Sequence, residues 1–105
     1  MSTLKNKKWE LDVIDKMIFE DGLGIEAIYF NKKLDLMIVL LNNKRIITKH
    51  ISTYSLLAKA SEKDLLLYKI SRTGIHWPKL DEDISLRSFL KSEILNAIQS
   101  MAIAA

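Results

Sequence analysis

Two periods of apolar residues divide this chain. From Trp9 to Phe19, Trp9, Val13 and Met17 form one helical row and Ile14 and Ile18 another, with Asp12, Asp15 and Lys16 between them. This spacing predicts an amphipathic helix, although Trp9, Leu11 and Val13 also alternate in the manner of a strand start. Asp21-Gly22-Leu23-Gly24 ends the element and turns the chain. The period then shortens to two. Ile25 to Phe30, Leu34 to Leu41 and Arg45 to Ile51 read as strands, separated by Asn31-Lys32-Lys33 and Asn42-Asn43-Lys44. They predict a three-stranded antiparallel meander. In the middle strand both faces are apolar: Leu34, Leu36, Ile38 and Leu40 on one, Met37, Val39 and Leu41 on the other. That pattern predicts a strand covered on both sides.

Helical signals follow. Ser52 is placed to cap a short helix, with Ile51 and Leu56 spaced as a hydrophobic staple. Ser61 and Asp64 have capping-box spacing, and Leu65 to Leu67 with Tyr68 are the expected buried face. Lys69 to Ser71 is a candidate fourth strand. Ser85 starts the last helix, with Ile84 and Phe89 as its staple and Leu90, Ile94, Ala97, Ile98 and Met101 as one apolar stripe. The expected fold is therefore α+β: one small antiparallel sheet of three to four strands packed with about four helices, in a single domain over residues 1–105.

Composition narrows the chemistry. The chain is 105 residues long, 49% hydrophobic and 28% charged, with no cysteine. A disulfide scaffold, thiol catalysis and cysteine-ligated zinc are excluded. No signal-peptide apolar region and no apolar stretch approaching ~18 residues occurs, so the sequence predicts a cytoplasmic protein without membrane contact. No glycine-rich phosphate loop and no Gly-x-Ser-x-Gly elbow is present. His50 lies in a strand beside Lys49 and reads as a solvated residue. A serine–histidine–aspartate triad with His76 and Asp81 has no serine singled out by spacing. No catalytic residue, metal or cofactor is expected.

The net charge is +3, with 16 Lys and Arg against 13 Asp and Glu. The surplus sits before residue 61, at Lys5, Lys7 and Lys8 and around Lys32, Lys33, Lys44, Arg45 and Lys49. Those last five residues are the candidate nucleic-acid contacts of a basic hairpin. The competing reading is solvated lysines on turns and edge strands.

The densest motif is Gly74-Ile75-His76-Trp77-Pro78-Lys79-Leu80-Asp81-Glu82-Asp83-Ile84-Ser85. As structure it reads as a strand-to-helix connector. Gly74 allows a close approach, Pro78 holds Trp77 extended, Leu80 and Ile84 point inward, and the acids precede a helix N-terminus. As a surface, Gly74, His76, Trp77, Pro78, Asp81, Glu82 and Asp83 are candidate partner-binding residues. A cation on His76 and the three acids has thin support from one histidine.

This block, followed by Phe89-Leu90, resembles the bacterial domain of unknown function 2442 family over about residues 25–91. The resemblance implies a small α+β domain. It also implies a protein partner, because some members are encoded beside a second small protein in a toxin–antitoxin-like arrangement. Other members carry a helix-turn-helix, for which no segment is evident here. Residues 1–22 and 92–105 depart from the family pattern. The C-terminal segment ends in Met101-Ala102-Ile103-Ala104-Ala105, expected to pack on its own sheet, to form a homodimer contact, to enter a partner's groove or to act as a degradation tail. The function expected is that of a non-catalytic, antitoxin-like protein-binding module, with nucleic-acid binding through the basic hairpin as the alternative.

Overall fold

The computed structural model describes residues 13–104. Lys5, Lys7, Lys8, the expected helix start at Trp9, Ala105 and the side chains of residues 100–104 lie outside the described residues. Residues 13–15 are helical and continue into a π-helical turn, Lys16–Glu20. Ile14 and Ile18, four apart, are its buried pair, as the spacing predicts.

Three strands follow at nearly the expected boundaries: β1 (Ile25–Asn31), β2 (Leu36–Leu41) and β3 (Ile46–His50). They form an antiparallel sheet in the order β1-β2-β3. The first turn closes with the Leu34 amide donating to Asn31 Oδ1 at 3.1 Å and with Asp35 at φ 57°. In the second, the Arg45 amide donates to Asn43 Oδ1 at 2.9 Å, and Lys44 takes a positive φ, 71°. Asn42 ties this turn to the preceding loop. Its amide nitrogen donates to the Gly22 carbonyl at 2.9 Å, and its side-chain oxygen accepts from the Gly24 N–H at 3.2 Å.

The connection contains a 3₁₀ turn (Ile51–Thr53) and two one-turn helices, α1 (Ser55–Ala58) and α2 (Glu62–Leu65). Ser61 caps α2 as expected, its Oγ accepting from the Asp64 N–H at 3.1 Å. Ser52 does not cap a helix. Its amide and hydroxyl both donate to the Asp35 carboxylate, and the staple with Leu56 does not form because Leu57, not Leu56, is buried. Leu65 is buried behind α2, whereas Leu66 and Leu67 face solvent because the helix ends at Leu65.

The single sheet expected from the sequence is replaced by two. β4 (Lys69–Ser71), β5 (Gly74–Trp77) and β6 (Glu82–Ser85) form a second three-stranded antiparallel sheet in that order. Lys69–Ser71 is a strand as expected, but it pairs with β5 rather than with the meander. The motif is not a strand-to-helix connector. After Trp77, Pro78 cannot donate to a ladder. Leu80 N–H donates back to the Trp77 carbonyl at 3.2 Å, and Asp81 takes φ 53°, which reverses the chain into β6. The acids that read as a helix N-terminus thus enter a strand: Trp77 faces Glu82, His76 faces Asp83, Ile75 faces Ile84 and Gly74 faces Ser85. Gly74 is required by close approach, since a Cβ there would lie 2.5 Å from the Ile84 carbonyl oxygen.

The last helix, α3 (Leu86–Ala104), follows β6 directly. Ser85 Oγ accepts from the Ser88 N–H at 3.1 Å, as a cap would. Leu86, Phe89 and Leu90 enter one core with Met37, Val39 and Ile47 of the first sheet and Ile75, Trp77 and Ile84 of the second. Trp77 is fully buried, and its Nε1 donates to the Leu65 carbonyl at 3.0 Å. Its ring lies within 6.3 Å of Phe30 and Tyr68, in the tilted and edge-on arrangements aromatic rings prefer.

Candidate functional site

The motif hairpin divides its residues between core and surface. Gly74 and Trp77 are buried and serve folding, so neither reaches a partner. His76 and Asp83 stand opposite each other on the solvent side of the second sheet, with His76 Nδ1 bonded to Asp83 Oδ1. Lys69 occupies the next position along that rung, which makes a row of lysine, histidine and aspartate. Pro78 and Asp81 lie at the exposed turn, and Lys79 pairs with Asp64 at 3.0 Å. Glu82 lies on the inward side, and its charge, after burial, pushes the Tyr54 hydroxyl above the usual phenol range. Among the described residues no group of three or more His, Cys, Asp or Glu side chains is placed to hold a metal ion.

The five basic residues do not form one patch. Lys32 and Lys33 follow the end of β1, whereas Lys44 and Arg45 lie in the β2–β3 turn at the other end of the meander. Two of the five are already engaged: Lys32 Nζ donates to the Ala60 carbonyl, and Lys49 Nζ to Ser92 Oγ.

A third surface escapes the sequence reading. Ladder register places Ala27, Leu40 and Ile46 on one rung, Tyr29, Ile38 and Thr48 on the next, and Asn31, Leu36 and His50 on the last. These rungs face away from the core, because the intervening Ile28, Val39, Ile47 and Met37 are buried. The expectation that β2 is covered on both sides is corrected: no described element covers this outer face. Tyr29 is 59% exposed and Ile46 60%, with Leu36, Ile38 and Leu40 half-buried between them. None of the nine positions is Asp, Glu, Lys or Arg. The signal was present in the doubly apolar pattern of β2, but that pattern does not say whether the chain covers itself.

Asp35 anchors the corner of this face. Its carboxylate accepts from the Ser52 N–H at 2.8 Å and from the Ser52 hydroxyl at 2.5 Å, and its carbonyl lies 3.2 Å from His50 Nδ1. The Ser52 hydroxyl above all holds this carboxyl below the usual range, with desolvation opposing it and the Ser52 amide and the His50 ring adding to it.

The family model for proteins of unknown function, DUF2442, matches residues 25–94, from the start of β1 into α3. The chain belongs to the DUF2442 family. The match takes in both sheets and therefore both the motif hairpin and the outer face of the meander. No curated protein matches the chain. An uncharacterised Chromobacterium violaceum protein, solved by solution NMR, is similar in fold: TM-score 0.61, 18% identity, with 77% of this chain and 76% of that one covered. Among the described residues no helix is long and apolar enough to cross a membrane.

Proposed function

We propose that this family member is a non-catalytic protein-binding module, the antitoxin-like member of a small two-protein system, and that the outer face of the β1–β3 sheet is its contact surface. The observation that carries the reading is an uncharged, largely apolar sheet face that no described element of the chain covers. Such faces on folded domains mark interaction surfaces. Strand pairing on both sides holds Leu36, Ile38 and Leu40 in place before any partner arrives, so little conformational entropy is lost on binding. Tyr29 at the margin is an aromatic anchor of the kind that concentrates binding energy. A module of this kind acts by occlusion, covering its partner's working surface without chemistry of its own.

The test is a gentle pull-down of the tagged protein from its native host, run beside Tyr29→Glu and Ile46→Glu. Both changes fall on exposed side chains and leave the core intact. One small protein in stoichiometric amount, lost with either variant, is the expected result. A partner retained by both variants overturns the surface assignment, and the recovery of no partner overturns the two-protein reading.

A further inference from the structure

Among the described residues the outer face of the meander is not alone in exposing apolar side chains; residues 94–99 of α3 do so too. Leu86, Phe89 and Leu90 bury the first turns of that helix, but every residue from 94 to 99 is exposed, including Ile94 (43%), Leu95 (52%) and Ile98 (57%). The expected packing of this stripe on the chain's own sheet stops at Leu90. We infer that, before any partner binds, the outer face is covered by the distal α3 of a second copy of this chain, in a reciprocal two-fold pair that the partner displaces. The inference rests on the reading of that face as a protein-contact surface.

Three observations favour this occupant. The first is charge. The sequence from Ile94 to Ala105 contains no Asp, Glu, Lys or Arg, in a chain where such residues make up 28%, and the outer face contains none either. Two uncharged surfaces meet without stranding an ion, whereas a charged partner segment would leave one desolvated. The second is size. Residues 94–104 span ~16 Å as a helix, and six-residue β2 spans ~20 Å. One helix laid on the face buries on the order of 300 Å² from each side, so two reciprocal contacts reach about 1,200 Å², where stable interfaces begin. The third is geometry. The α3 root packs on the inner side of the meander, where Lys49 Nζ reaches Ser92 Oγ. A continuous helix rooted on one side of a sheet cannot lay its own distal turns on the other side, so the contact must be made between chains.

The absence of cysteine permits a clean test. Chains carrying only Ile46→Cys are mixed with chains carrying only Ile98→Cys and oxidised, while light scattering reports the mass of the unmodified protein. The expected results are a dimer, disulfides joining the two different chains, and about tenfold or greater weakening of the dimer by Ile98→Asp or Ile46→Asp. Circular dichroism confirms that the variants fold. A monomer at high protein concentration overturns the inference, as does a dimer whose disulfides join only like variants. If the protein is monomeric but loses a co-purifying partner on Ile46→Glu, the self-association fails and the protein-contact reading stands. If that partner is also retained, both fail.

Discussion

Asp35 and Ser52 are joined twice: the Ser52 amide and hydroxyl both donate to the Asp35 carboxylate, at 2.8 and 2.5 Å. The pair locks the start of β2 to the segment leaving β3, and it lets Asp35 keep its left-handed φ of 57°. Aspartate tolerates that region better than most residues because its short side chain bonds locally.

The depressed pKa of Asp35 fixes the sign of a pH effect. The folded carboxyl titrates below the unfolded one, so its contribution is fully present above the ordinary aspartate range near ~4. It is lost as pH falls through the lower folded value. Ser52→Ala should therefore lower the melting temperature at neutral pH and flatten the acid limb of the stability curve. Thermal melts of both proteins from neutral to acid pH would show this, and equal curves would mean that the Ser52 hydroxyl contributes nothing.

Gly74→Ala should disrupt the motif hairpin. The added methyl meets the Ile84 carbonyl at 2.5 Å, a backbone atom that no rotamer change can move. Overpacking of this kind costs ~1–3 kcal/mol or more. Urea denaturation should show that loss, and amide exchange should speed up in β5 and β6 before it does in β1 to β3.

Trp77→Phe should destabilise the protein by ~1–3 kcal/mol through the unsatisfied Leu65 carbonyl, with a cavity adding to the loss. A denaturation midpoint equal to that of the parent would show that neither the indole bond nor the added ring volume contributes to stability.

Burial first, and the Glu82 charge second, raise the Tyr54 phenol pKa. Glu82→Gln should bring it partway back towards ten without restoring it fully, because burial remains. The phenolate absorbance of Tyr54, isolated by comparison with Tyr54→Phe, would follow the change. A titration unmoved by Glu82→Gln would assign the whole shift to burial.

Local patterns carried much of this fold. Alternation marked β1, β2 and β3 to within a few residues, Ser61 announced its cap, and Ser85 with Phe89 announced the root of α3, because each depends on neighbours a few positions away. The family resemblance was legible too, since the motif is a contiguous string. The fate of that motif was not. Asp81-Glu82-Asp83 suits a helix N-terminus as well as a strand, and only the partner strand β5 decided between them. The separation into two sheets likewise rests on which edge Lys69–Ser71 meets, a long-range choice with no local signature.

For the candidate site the division is sharper. The residues of the outer face could be read from the sequence, down to their lack of charge. Whether anything covers them could not, because an apolar strand face has the same sequence pattern whether its covering layer comes from its own chain or from another. That was decided by the path of α3, which buries Phe89 and Leu90 on the inner side of the meander and carries Ile94 and Ile98 into solvent.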